Sequence, residues 1–191
     1  MSYLTEDELR KCGFNRMGVN VRISRFARLY NCRKISLGNN VRIDDFCVLS
    51  AGEEGIEIGD YVHIAVFCSL MGKSRIILKD FSGLSSRVSV YSSSDDYSGQ
   101  FMTNPTVPTK FTGSTSSEVS LGRHVIVGAG SIILPGVKIE DGTAVGALSL
   151  VSKPCDGFWI YAGNPAKKIK PRKRFLLDME TQLLSEQHGD A

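Results

Sequence analysis

From Leu121 to Val151 an aliphatic side chain returns at every sixth position: Leu121, Val127, Ile133, Ile139, Val145 and Val151. Four positions after each stands a small or β-branched residue, namely Val125, Ser131, Val137, Thr143, Ser149 and Cys155. An amphipathic helix would repeat its apolar face near 3.6 residues, and a half-buried strand at 2. A period of six fits neither as one continuous element. It fits short strands joined by turns, each strand sending one bulky aliphatic inward. Three such sides close a triangular coil of about 18 residues, and coils stack so that each aliphatic rests on the one below. Backbone hydrogen bonds then run between coils, and the small residue goes where a corner leaves little room.

The same phase continues upstream in triplets: Met17, Ile23, Leu29; then Leu37, Ile43, Leu49; then Ile58, Ile64, Leu70; then Leu78, Leu84, Val90. Between triplets the step widens to eight or nine residues, which predicts small bulges at one corner. Regularly spaced strands also suit a β-sandwich, but a sandwich gives no reason for equal periods of six. Cys47, Cys68 and Cys155 fall in the small-residue slot, as compact apolar fillers. With Cys12 and Cys32 they make five cysteines and no CxxC pair, a poor pattern for a disulfide framework or a zinc site.

A chain of 191 residues, 42% hydrophobic and 23% charged, suits one soluble globular domain. A net charge of +3 is too small to argue for nucleic acid. No apolar run approaches the roughly 18 residues that span a membrane. The first residues, MSYLTEDELRKCGF, lack the apolar core of a signal peptide, so the cytoplasm is the expected compartment.

The coil is expected over 17–170, with a lead-in at 1–16 and a tail at 171–191. In the lead-in, residues 1–13 predict a short helix capped at Thr5, with Glu6, Asp7 and Glu8 in its first turn. In the tail, Phe175, Leu176, Met179 and Leu183 recur near helical spacing and predict a helix across the coils. The period stops after Val90. Residues 91–120 are rich in Ser, Thr, Gly and Pro and form an excursion loop, a length usually reserved for function. Phe101, Met102, Val107 and Phe111 give it apolar anchors, expected to hold it as an ordered flap against a neighbour.

The segment LGRHVIVGAGSIILPGVKIEDGTAVGALSLVSKP, followed by YAGNPAKKIK, resembles the hexapeptide-repeat acyltransferases. The resemblance covers roughly 17–170. It implies an all-β fold, a left-handed parallel β-helix, assembled as a homotrimer with active sites between subunits. It also implies acyl-CoA as co-substrate and no metal. In the sugar acetyltransferases of this family the last coil before the loop carries a histidine, in a pattern like V-x-I-Y-x-x-x-H, that takes the proton from an attacking hydroxyl. In this sequence Val88, Val90 and Tyr91 match, and the histidine's place falls on Asp95.

That departure bears on the chemistry. A sugar hydroxyl needs a base to attack a thioester, and an aspartate near pKa ≈ 3.9 is too weak to replace a histidine near 6.5. A neutral amine attacks without prior help and needs only to be held and oriented, which a carboxylate can do. Asp95 therefore points to N-acyl transfer. Asp95 and Ser85 are the candidate catalytic residues. Ser85 would hydrogen-bond either the thioester oxygen or the acceptor. Tyr91, Ser94, Asp96 and Tyr97 are candidate substrate contacts. Both Asp95 and Asp96 also suit a plain solvated turn.

Gly128-Ala129 and Gly146-Ala147 repeat eighteen residues apart and should stack. Small residues there let a ligand approach the backbone, or else only fit a tight corner. With Asn164, Lys167 and Lys168 of the GNPAK segment, they are the candidate acyl-CoA contacts, the lysines for its phosphates. His63, His124 and His188 are too scattered for the three-histidine zinc site of the γ-carbonic anhydrases that share this fold.

The resemblance is greatest to enzymes that acylate dTDP-linked amino deoxy sugars, with acetyl or 3-hydroxyacyl groups such as 3-hydroxybutyryl. A nucleotide sugar is thus the expected acceptor, and no nucleic acid or membrane partner is expected. Two alternatives stand beside this reading. One is a sugar or antibiotic O-acetyltransferase in which His63 or His124 supplies the base. The other is a non-catalytic β-helix scaffold that binds no CoA.

Overall fold

The computed structural model describes residues 2–189; the side chain of His188 lies outside what is described. Short strands stack into three parallel sheets, the sides of a triangular β-helix. Sheet 1 runs from Arg16–Met17 through Ile35–Leu37, Ile56–Ile58, Ile76–Leu78 and Val119–Leu121 to Lys138–Ile139. Sheet 2 runs from Arg22–Ile23 through Arg42–Ile43, His63–Ile64, Gly83–Leu84, Ile126–Val127 and Ala144–Val145 to Trp159–Ala162. Sheet 3 holds Arg28–Tyr30, Val48–Ala51, Ser69–Gly72, Ser89–Tyr91, Ile132–Ile133 and Leu150–Val151.

Register follows the repeat. Ile43 pairs with Ile64, Ile64 with Leu84, Leu84 with Val127, and Val127 with Val145. Every aliphatic of the repeat from Leu37 to Val151 is buried. Each contributes roughly 1.5–3 kcal/mol by leaving water. Met17 and Leu29 are only partly buried because they belong to the first coil, which has no coil beneath it. Helix α1 (Glu6–Cys12) lies at this end and buries Leu9 in the core. Its N-cap is Thr5, and Thr5 and Glu8 form a reciprocal capping box.

The corners show what the period alone does not. Asn20, Asn40, Tyr61, Phe81 and His124 recur at one corner with φ of 54–57°. The left-handed region costs a non-glycine residue about 1–2 kcal/mol. Stacking offsets part of that: the rings of Tyr61 and Phe81 lie 4.8 Å apart, and those of Phe81 and His124 5.0 Å. A second corner stacks Phe26 on Phe46 and Phe46 on Phe67, with Arg87 over Phe67. At Gly142, φ is +70°, and a Cβ would meet the Phe158 ring at 2.5 Å, so only glycine fits beneath that ring.

Two boundaries differ from the sequence expectation. Tyr91 pairs with Met71, and Val119 pairs with Ile76, so both ends of the expected 91–120 loop belong to coils. The true excursion is 92–118. It is closed at its base by an antiparallel pair, Ser93–Ser94 with Thr115–Ser116. At the other end the coil does not run to 170. Trp159–Ala162 continues sheet 2, and Lys167–Pro171 then folds back antiparallel on it as a cap. Helix α2 (Leu176–Gly189) lies along the Tyr61–Phe81–His124 corner. Glu180 accepts from Arg123 and lies 2.6 Å from His124 Nε2, and Tyr61 donates to Gln187 at 2.6 Å. Among the described residues no helix is long and apolar enough to cross a membrane.

Candidate active site

The backbone ladder of sheet 2 places the candidate residues. At the ends of its strands Ala65 donates to Leu84, Ser85 to Val127, Gly128 to Val145 and Gly146 to Tyr161. Ala65, Ser85, Gly128 and Gly146 therefore form one column at the corner between sheets 2 and 3. Ser86, Ala129 and Ala147 form the next column, linked by Gly130 N–H to Ser86 and Leu148 N–H to Ala129. Ser85 and all four small residues expected at the acyl-CoA site thus share one corner. The glycines have a packing reason as well: a Cβ on Gly128 would meet Ala147 N at 2.4 Å. Ala129 and Ala147 are exposed, so this corner presents small side chains to solvent.

Beside Ser85 the face opens into a notch of about 270 Å³, lined by His63, Ala65, Gly83, Leu84, Ser85, Ser86 and Ile126. Gly83 makes the opening. It stands opposite both His63 and Ile126, and a Cβ there would meet only His63 O, at 3.9 Å. His63 Nε2 lies 2.8 Å from Oδ2 of Asp44, and Arg42 Nε lies 2.7 Å from the other oxygen. The Asp44 side chain is 5% exposed. Burial pushes its pKa up, but the hydrogen bonds from Arg42 and His63 outweigh this and hold it below the usual carboxylate value.

The loop-side candidates stand elsewhere. Tyr91 ends the strand Ser89–Tyr91 of sheet 3, and Ser94, Asp95, Asp96 and Tyr97 follow it, so that strand separates them from Ser85. Asp95 is exposed, and among the described residues its carboxylate accepts only from Asn104 N–H, at 3.2 Å. Ser94 donates to the Asp95 carbonyl. Tyr97 is 93% exposed. Asp96 is a different case. Its two oxygens accept from Ser98 Oγ, Ser98 N, Gly99 N and Phe101 N, between 2.7 and 3.1 Å. The Ser98 hydroxyl, then the loop N–H groups, lower its pKa to about 2. Asp96 folds the loop, and its acceptor capacity is spent on that.

The C-terminal candidates sit on the capping hairpin. Asn164 is in its turn, and Lys167 and Lys168 open the returning strand. Lys168 is engaged within the chain: Nζ lies 2.7 Å from Asp156 and 3.9 Å from the centre of the Trp159 ring. Lys167 is exposed and belongs to no ion pair among the described residues. Arg172 donates to the carbonyls of His124, Gly142 and Thr143 and ties the hairpin to the corner below. His124, 12% exposed, is held by Glu180 and Phe81 and faces no cavity that Ser85 lines.

Phe101, Met102 and Phe111 of the loop remain about half exposed in the single chain. About half the surface of each of these side chains is therefore left uncovered by its own chain. One chain supplies a corner with Ser85 and a loop with Asp95, and it does not bring the two together.

No protein-family profile matches the chain. Its sequence is 50% identical over 190 residues to the dTDP-4-amino-4,6-dideoxy-D-glucose acyltransferase of Escherichia coli, covering 100% of this chain and 99% of that one. This chain belongs to the dTDP-amino-sugar acyltransferases of the hexapeptide-repeat type.

Solved structures agree with the family. AntD, an N-acyltransferase from Bacillus cereus, in complex with dTDP and 3-hydroxybutyryl-CoA, superposes with a TM-score of 0.94 at 45% identity, covering 98% of both chains. AntD with dTDP-4-amino-4,6-dideoxyglucose and coenzyme A superposes at 0.93, with 45% identity over 97% of this chain and 98% of that one. That second structure is a serine variant, and AntD has also been solved with one aspartate replaced.

Proposed function

We propose that this protein transfers an acyl group from acyl-CoA to the amino group of a dTDP-linked amino deoxy sugar, forming an amide. The acyl group is acetyl or a 3-hydroxyacyl group such as 3-hydroxybutyryl. The observation that carries this is Asp95: an exposed carboxylate with one backbone partner, at the position where O-acyl transfer would need a base. Full-length similarity to an acyltransferase of dTDP-4-amino-4,6-dideoxy-D-glucose supports the substrate class, and the 3-hydroxybutyryl-CoA bound to AntD supports the acyl donor.

The steps follow from amine chemistry. Asp95 draws in and orients the amino group. The neutral nitrogen attacks the thioester carbonyl carbon, and a tetrahedral intermediate forms with no covalent enzyme adduct. The Ser85 hydroxyl donates to the oxygen that gains charge. The C–S bond then breaks, CoA leaves as thiolate, and the proton lost by nitrogen balances the thiol that is released. Ser86, Ala129, Ala147, Asn164 and Lys167 border the acyl-CoA, with Lys167 the better placed lysine for a phosphate. Tyr91, Ser94 and Tyr97 border the sugar nucleotide, and Asp96 holds the loop that carries them.

Two copies make each site in this reading, one giving the Ser85 corner and the next giving Asp95, within a homotrimer. The separation of these residues in one chain and the half-exposed loop rings support it. The protein would work in the cytoplasm, in the supply of modified sugars for surface polysaccharides. The test is acyl transfer to matched amino and hydroxy forms of one dTDP sugar, followed by mass spectrometry. Amide formation on the amino form is expected. Preference for the hydroxy form would overturn the reading in favour of O-acyl transfer, and the absence of both products would favour a scaffold.

A further inference from the structure

The notch beside Ser85 contains a group that amine attack alone does not use. His63 stands on the outer face of sheet 2, paired with Gly83, and Ser85 is two residues further along that neighbouring strand. Strand spacings put the two α-carbons roughly 8 Å apart. Gly83 leaves the space between them open, and both residues line the same notch. The ring is anchored from behind. Asp44 is buried, and it is fixed by Arg42 on one oxygen and by His63 Nε2 on the other.

We propose that His63 is a further catalytic residue, the group that takes the proton from the attacking amine and returns it to the departing CoA sulfur. This rests on the amide-forming reading above. An ionised Asp44 only accepts hydrogen bonds, so Nε2 carries the hydrogen in the neutral ring and Nδ1 keeps its lone pair. A carboxylate held this way fixes the tautomer and stabilises the imidazolium that forms. The balance is simple. The N–C bond forms as a proton passes from nitrogen to Nδ1; the C–S bond breaks and the same proton passes to the thiolate. No other reactant is required. The charged groups facing His63 are Asp44 and Arg42; on the Gly83 side the notch offers only Ser85, Ser86 and apolar residues.

His124 has the same anchoring by a carboxylate, but it is packed under helix α2 with Phe81 against its ring. His63 is about half exposed, so its replacement leaves the core intact. The experiment compares the full-length protein with His63→Gln and His63→Ala, using the dTDP-amino sugar and acyl-CoA, with Tm recorded for each. The expected result is a kcat reduced at least tenfold, toward the 10²–10⁴ that a positioned base contributes. KM for both substrates should stay within threefold, and added imidazole should restore part of the rate to His63→Ala. A kcat within tenfold of the parent, a loss confined to KM, or no response to imidazole overturns the proposal. If the parent itself forms no amide, the reading under the previous heading fails; if it does and His63→Gln matches it, only the role of His63 fails.

Discussion

Replacing Asp95 by asparagine changes a charge and almost nothing else. The carboxylate makes one loop contact, from Asn104 N–H at 3.2 Å, and the amide oxygen of asparagine can accept the same bond. The side chain is exposed, so no cavity is left. Unfolding free energy should therefore change by no more than a surface substitution usually allows, within about 0.5 kcal/mol, and Tm should stay close to the parent's. What is lost is a charge-assisted hydrogen bond to the amine. Such bonds contribute about 1.5–3 kcal/mol, which at 1.36 kcal/mol per tenfold is roughly a 10- to 150-fold fall in kcat/KM. Asp95→Ala should fall at least as far, since it also releases Asn104. Steady-state release of free thiol from acyl-CoA, with the sugar nucleotide varied, reads the effect. If Asp95→Asn keeps kcat/KM within threefold of the parent while its Tm is unchanged, a carboxylate at this place does not orient the amine.

Three further outcomes follow from the packing and the charges. Leu70→Ala removes a fully buried rung between Leu49 and Val90 and should cost about 3 kcal/mol in denaturant unfolding; a loss under 1 kcal/mol would contradict a close-packed stack. Asp96 has its pKa lowered to about 2 in the folded loop, below its unfolded value, so its contribution is present above the unfolded pKa and is lost as pH falls toward 2. Protection factors for amide exchange at Ser98, Gly99 and Phe101 should fall selectively over that range, and Asp96→Asn should show the reduced protection already at neutral pH. Glu180→Ala leaves His124 without its carboxylate and Arg123 with Asp80 alone, so helix α2 should exchange faster than the coils; equal protection in the parent and the variant would refute the docking.

The coil was legible because its core depends on a single side chain per strand. Any sequence that puts Leu37, Ile43 and Leu49 in phase with Ile58, Ile64 and Leu70 can bury them only by stacking. The capped first helix was legible for a local reason, the Thr5 and Glu8 pair. The aromatic corners were not. Phe46 and Phe67, or Tyr61 and Phe81, recur one coil apart, but propensity argues against bulky residues at positive φ, and only stacking across coils reverses it. The loop was placed one residue too early and two too late because Tyr91, Val119 and Ser120 look like loop residues by composition and are held by pairing with neighbouring coils.

The site was legible in pieces. The eighteen-residue spacing brought Gly128, Ala129, Gly146 and Ala147 to one corner, and the structure adds Ser85 to it. Asp96 was read as a substrate contact because a sequence does not show which carboxylate the loop will use for its own N–H groups. Lys167 and Lys168 were both read as phosphate contacts; within the chain Lys168 is engaged by Asp156 and the Trp159 ring, which no sequence spacing shows. The Asp44–His63 pair was missed. Its members are one coil apart, and each alone looks like an ordinary surface residue. The signal available was the Gly83 that follows, a gap in an otherwise filled column.

The claim on which the mechanism turns is that Ser85 of one copy and Asp95 of the next act on the same thioester. Mixing copies tests it. Ser85→Ala and Asp95→Ala should each be nearly inactive alone. Co-refolded in equal amounts, they should regain a substantial fraction of the parent rate, because some sites then pair an intact Ser85 with an intact Asp95. A mixture no more active than the sum of its separate components would place both residues in one chain's site and contradict the account.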